Sequence, residues 1–158
     1  MENIINIHLK QQEDYKNTYN EKILSYEFSN YILEELKGID TKRKITFIIS
    51  SDFNMDESEK ITLVDMIRNN YGADISEIIN ISKKEQLANY LILLVGIIFL
   101  ILYSVLEIEL LSEFILILGW VFLGEAICNF LYKGIDKRHK ILRRKQIVNA
   151  KVLFEEKQ

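Results

Sequence analysis

Two oily runs stand close together in the second half of the chain: residues 87–106, which carry no charged side chain, and residues 114–132, in which Glu125 is the only one. At about 1.5 Å per residue each reaches about 30 Å, the thickness of a bilayer's hydrocarbon core. Residues 107–113 between them hold Glu107, Glu109 and Glu113. That link is too acidic for lipid and is expected to be a turn. The pair predicts a transmembrane helical hairpin over residues 83–135, and with it a solvent other than water for a third of the chain.

The net charge of −3 hides three unlike segments. Residues 1–86 carry 11 Lys and Arg against 16 Asp and Glu, whereas residues 133–158 carry 9 against 3. Basic residues near span ends face the cytosol. Lys83 and Lys84 precede the first run, and Lys133, Lys137, Arg138, Lys140, Arg143, Arg144 and Lys145 follow the second. Both termini are therefore expected on the cytosolic side of a bacterial cytoplasmic (inner) membrane. The first residues lack a basic stretch followed by an apolar one, so the first span itself is expected to direct insertion. Cys128 is the only cysteine, which excludes an intramolecular disulfide and a cysteine-based metal site. Proline is absent, so neither run carries the usual kink residue.

Ahead of the membrane the periodicities alternate. Ile5, Ile7 and Leu9 recur every second residue, as a strand with one buried face does. Over residues 21–37, Leu24, Phe28, Tyr31, Ile32 and Leu36 share one helical face, and Gly38 follows where helices often end. Residues 44–50 are β-branched and aromatic, the mark of a more buried strand. Asp56 with Glu59 three residues on is a capping-box start for a helix bearing Ile61, Val64, Ile67 and Tyr71, expected to close at Gly72. The fold class is α+β: a small β-α-β-α cytosolic domain over residues 1–82, the hairpin, and a basic tail over residues 136–158. Such a domain is marginal by itself. Ala150, Val152 and Phe154 alternate in the tail, which is expected to return to the sheet as an extra strand.

The stretch from Gly119-Trp120-Val121 to Phe130-Leu131-Tyr132, followed by the basic run from Lys137 to Lys145, resembles a group of small uncharacterised bacterial two-span membrane proteins. That group is similar in having an α/β amino-terminal part, an Arg-rich segment after the spans and a short β-like tail. The resemblance is strongest over residues 112–154. This chain departs from it at Glu125-Ala126, where the group has Arg-Pro, and at Lys133, where it has an acidic residue. The resemblance implies a topology and no activity.

Glu125 is the sharpest candidate. An ionised carboxylate near a span's midpoint costs about 2.5–3.5 kcal/mol on insertion scales, so it must be protonated, paired or wet. The level of the first span that faces it, around Leu94, Val95 and Gly96, offers room and no polar side chain. Asn129 and Lys133 extend a polar stripe from Glu125 to the cytosolic surface, and Gly124 with Cys128 forms a small-xxx-small pair. These residues point to self-association into a homo-oligomer, or to an ion path. The bland alternative is a protonated carboxyl bonded to a backbone carbonyl. The seven bases after the second span suit anionic lipid head groups or a plain topology anchor.

Catalytic material is thin. His8 and His139 have no Ser, Cys or Asp at a motif spacing, no metal-ligand pattern is present, and no cofactor is expected. Ser51, Asp52 and Asn54 follow the second strand, where α/β logic places ligands, although a turn that starts the next helix explains them better. The acidic domain and the lack of aromatics among the bases argue against nucleic acid. The expectation is a non-enzymatic membrane protein that self-associates through its spans and recognises a protein partner or signal with its cytosolic domain. The alternatives are a membrane-tethered enzyme or ligand-binding module at the 50–54 loop, and a small channel.

Overall fold

A computed structural model describes residues 3–155, in which the chain divides into two compact units, Met1–Ser76 with Lys140–Gln158, and Glu77–His139. In the first unit, β1 (Asn3–Leu9), β2 (Ile45–Ser51) and β3 (Lys151–Glu155) form a parallel sheet in the order β1-β2-β3. The register sets Ile5 beside Phe47 and Phe47 beside Val152, then Ile7 beside Ile49 and Ile49 beside Phe154. Paired residues of a parallel ladder point to the same face. One face therefore collects the apolar set, and Ile5, Ile7, Leu9, Phe47 and Ile49 are buried there.

Helix α1 (Tyr26–Glu35) supplies Phe28 and Ile32 to this core. It starts at Ser25, whose hydroxyl oxygen accepts from the Phe28 N–H and donates to the Asp14 carbonyl. Gly38 beyond its end has φ of 86°, the left-handed conformation that a side chain resists. The next helix, α2 (Glu57–Val105), gives Leu63, Met66, Ile67 and Tyr71. Its start is a reciprocal cap: Asp56 Oδ1 accepts from the Glu59 N–H at 2.7 Å, and Glu59 Oε2 accepts from the Asp56 N–H. The Glu59 N–H, with the Ser58 hydroxyl also donating to Oδ1, holds the Asp56 carboxyl below the usual carboxylate range.

The expected stop at Gly72 does not occur, because α2 continues without a break to Val105. Gly72 keeps a helical φ and has open space around it. An interior glycine costs only about 1 kcal/mol relative to alanine, and no proline follows to enforce an end.

Parallel strands require crossover connections. The first, from β1 to β2, is α1. The second leaves β2 along α2 and reaches β3 along α4 (Gly134–Val148), so the whole of residues 77–139 is an insertion within one crossover. Ile147 of α4 and Ala150 after it join the core. On the opposite face of the sheet Ile4, Asn6, His8 and Leu153 are exposed, whereas in the central strand Thr46 is buried and Ile48 and Ser50 are half-buried. Parallel sheets are normally covered on both sides.

In the second unit, α2 reaches Val105, residues 106–108 turn, and α3 (Glu109–Cys128) runs back, followed by a π-helical turn at Asn129–Lys133 that leads into α4. The turn is shorter than the seven residues expected. Glu109 lies in the first turn of α3, where the helix dipole favours an anion, and Ser112 is buried and bonds back to the Glu109 carbonyl. Two helices are long and apolar enough to cross a membrane, and only 11 % of either apolar window is buried within the protein.

Candidate functional site

Helix α3 has two unlike faces. Toward α2 it presents the buried Ser112, Gly119 and Ala126. A Cβ on Gly119 would stand 2.9 Å from Leu100 Cδ2, and one on Gly96 would stand 3.0 Å from the Leu123 side chain. The first is shorter than a Cβ tolerates and the second would make the Leu123 side chain give way, so these glycines allow the helices to approach closely. Phe99 stacks on Phe122 at 5.6 Å beside them. Gly119 is not among the residues singled out from the sequence, although a glycine inside each apolar run is a visible signal.

The outward face carries Phe114, Ile117, Val121, Glu125 and Cys128, all exposed and three or four residues apart. Asn129 Nδ2 donates to Glu125 Oε1 at 3.1 Å. A Cβ at Gly124 would meet nothing within 4 Å. Of the five residues singled out for assembly, Gly96 works inside the hairpin, whereas Glu125, Gly124 and Cys128 sit on its outer side.

Asn89 is a residue the sequence reading passed over. It is 6 % exposed, and its Nδ2 donates to the Ala126 carbonyl at 3.1 Å. That carbonyl also receives the Asn129 N–H at the mouth of the π turn. A π turn shifts the backbone ladder by one residue and is a frequent feature of functional sites. Here an amide from the neighbouring helix fastens it. Asn89 Oδ1 is buried and has no partner among the described residues.

The basic residues divide. Arg143 donates to the Ile39 carbonyl at 2.7 Å, and Arg144 donates through Nε to Asp74 Oδ2 at 2.8 Å, so both guanidinium groups are used inside the sheet unit. Lys137 pairs with Glu85. That hydrogen bond, with the charges of Lys137 and Lys133 behind it, holds the Glu85 carboxyl below its ordinary value. Lys133, Arg138, Lys140 and Lys145 are exposed. The head-group reading of the basic run therefore narrows, since Lys137, Arg143 and Arg144 of its seven members have structural partners.

At the carboxyl ends of β2 and β3, the loop after β2 lines a cavity of about 380 Å³. Ser51, Asp52 and Asn54 contribute to it, opposite Lys60 and Phe154. The Ser51 hydroxyl is turned into the loop, donating to the Phe53 carbonyl at 2.7 Å. The parallel register also joins residues that the sequence keeps apart: His8 Nδ1 lies 3.0 Å from Ser50 Oγ, and His8 Nε2 lies 3.2 Å from Asp52 Oδ2. Which ring nitrogen carries the proton follows from the partners chosen. Ser50 Oγ also lies 3.5 Å from the Ile7 carbonyl, a second acceptor for its proton. His8 is thus an exposed strand residue that also bridges two polar side chains. Among the described residues no group of three or more His, Cys, Asp and Glu could hold a metal ion.

The class defined by these features is a mixed α and β chain with a three-stranded parallel sheet and two helices fit to cross a membrane. Compared with protein-family models, with curated proteins and with solved structures, the chain has no match.

Proposed function

We propose that the chain is an integral membrane protein whose helical hairpin crosses a bacterial cytoplasmic membrane with both termini in the cytosol, and which assembles with further copies through the outward face of α3. The sheet unit then serves in the cytosol as the part that recognises a protein partner or signal. The observation that carries this reading is Glu125, which stands on an exposed apolar stripe with Asn129 as its hydrogen-bond donor. In hydrocarbon a carboxyl group so placed gains from a second set of donors, and a second copy of the same stripe supplies them. A soluble-core alternative has little support, because a helix core in water would be mostly buried rather than 11 % buried.

The chain carries its own probe. Cys128 is exposed one helical turn beyond Glu125, and it is the only cysteine. Oxidative cross-linking in native membranes is expected to give a Cys128-linked dimer that disappears in Cys128→Ser. Glu125→Leu is expected to weaken association about fivefold, the equivalent of about 1 kcal/mol for an interhelical hydrogen bond. A wild-type protein that stays monomeric in membranes and in detergent, unchanged by Glu125→Leu, removes the assembly reading.

A second reading, a membrane-tethered ligand-binding module, is favoured by one observation: the cavity at the 51–55 loop lies at the carboxyl ends of parallel strands, where such folds bind ligands.

A further inference from the structure

At the cytosolic end of the hairpin unit a cavity of about 190 Å³ opens between the two helices, more than ten times the roughly 10–15 Å³ that a single water needs. Asn89, Asn129, Phe130, Lys133, Glu85 and Lys137 are among its walls. Three observations make it a built site. Its walls include Asn89, an amide side chain that is 94 % buried. Its far wall is the π turn, which Asn89 holds through the Ala126 carbonyl and which carries Asn129 and Lys133. Its charges are unequal in commitment: Lys137 is paired with Glu85, whereas Lys133 has no ion pair among the described residues.

A ligand that suits these walls brings an anion for Lys133 and a hydrogen-bond donor for the Glu85 carboxylate. Asn89 lies two residues inside the first apolar run and Lys133 one residue beyond the second. On the membrane reading above, that is the depth at which lipid phosphates lie. We propose that this cavity binds the head group of a cytosolic-leaflet phospholipid, a phosphodiester whose alcohol carries donors (glycerol or ethanolamine, not choline), with the phosphate on Lys133 and the donor toward Glu85. The seven-base anchor attracts any anionic surface; this cavity selects one molecule by its donors. Asn89 acts here as a positioning residue, since it fixes the turn that presents Lys133.

The full chain is tested in nanodiscs of phosphatidylcholine containing one tenth phosphatidylglycerol or phosphatidylethanolamine. Native mass spectrometry then counts the lipids that stay bound. One glycerol or ethanolamine lipid per copy is expected, at least tenfold over choline lipid. Lys133→Gln is expected to lower retention about tenfold, Lys133→Arg to restore it, and Glu85→Leu to abolish the preference over choline. Arg138→Gln, an exposed base outside the cavity, is expected to change nothing. Equal retention of choline lipid, or equal losses in Lys133→Gln and Arg138→Gln, overturns the proposal. Displacement of the lipid by millimolar glycerol phosphate overturns the lipid source and assigns the cavity to a soluble phosphate ester. The inference rests on the hairpin being in lipid, and the two fail differently: without insertion the chain is missing from the nanodisc fraction, whereas without the site it is present and binds lipids indiscriminately.

Discussion

Tyr71 illustrates how much one side chain in the first turns of α2 contributes to the sheet unit. Its ring is fully buried, and its hydroxyl donates to the Ser29 carbonyl at 2.7 Å while accepting from the Ser29 hydroxyl at 3.2 Å. Burial pushes its pKa up to about 12. The folded state therefore resists ionisation that the unfolded chain accepts. The resulting stability is fully present below about pH 10 and is lost as pH rises toward 12, at up to about 1.4 kcal/mol per pH unit. Tyr71→Phe is expected to cost about 1 kcal/mol at neutral pH, because it removes the hydroxyl that bonds both the carbonyl and the hydroxyl of Ser29. It is also expected to flatten the alkaline fall. Urea unfolding of the sheet unit followed at pH 7, 10 and 11.5 measures both effects; an equally steep fall in the variant contradicts the account.

At the scale of elements, the hairpin depends on which glycines meet a neighbour. Gly96 and Gly119 stand where a Cβ would collide with Leu123 and Leu100, whereas Gly124 faces open space. Gly96→Leu is expected to cost about 1–3 kcal/mol through overpacking, and Gly124→Leu to leave the hairpin intact. Thermal unfolding in detergent distinguishes the two, and similar losses from both would contradict the packing described. The strands and the two apolar helices were legible in sequence because alternation at Ile5, Ile7 and Leu9 and the uncharged run at 87–106 are local signals. The returning strand was legible for the same reason, from Ala150, Val152 and Phe154. The continuation of α2 through Gly72 was not, since a lone glycine is a weak stop. The site was less legible. His8, Ser50 and Asp52 meet only through the β1-β2 register, across 42 and 44 residues. Asn89 looks like an ordinary polar residue at the edge of an apolar run, and only its bond to the Ala126 carbonyl shows its use.

For the whole molecule, the connection from β2 to β3 is the informative feature. Its two helical arms, residues 57–76 of α2 and 140–148 of α4, contribute Leu63, Ile67, Tyr71 and Ile147 to the core, and everything between them is the hairpin unit. A chain so connected builds its sheet from segments on both sides of the hairpin, so β3 pairs with β2 only after the apolar helices have been made. The central claim is that those helices have lipid around them. On the proposed reading, lipid and further copies of the chain cover the large exposed side chains of that unit, Leu94, Ile98, Ile101, Phe114, Ile117, Trp120 and Val121 among them. Extraction of membrane vesicles with alkaline carbonate tests this most directly. The intact chain is predicted to remain in the sedimented membranes with the lipid, and its release into the supernatant as soluble protein would contradict the account.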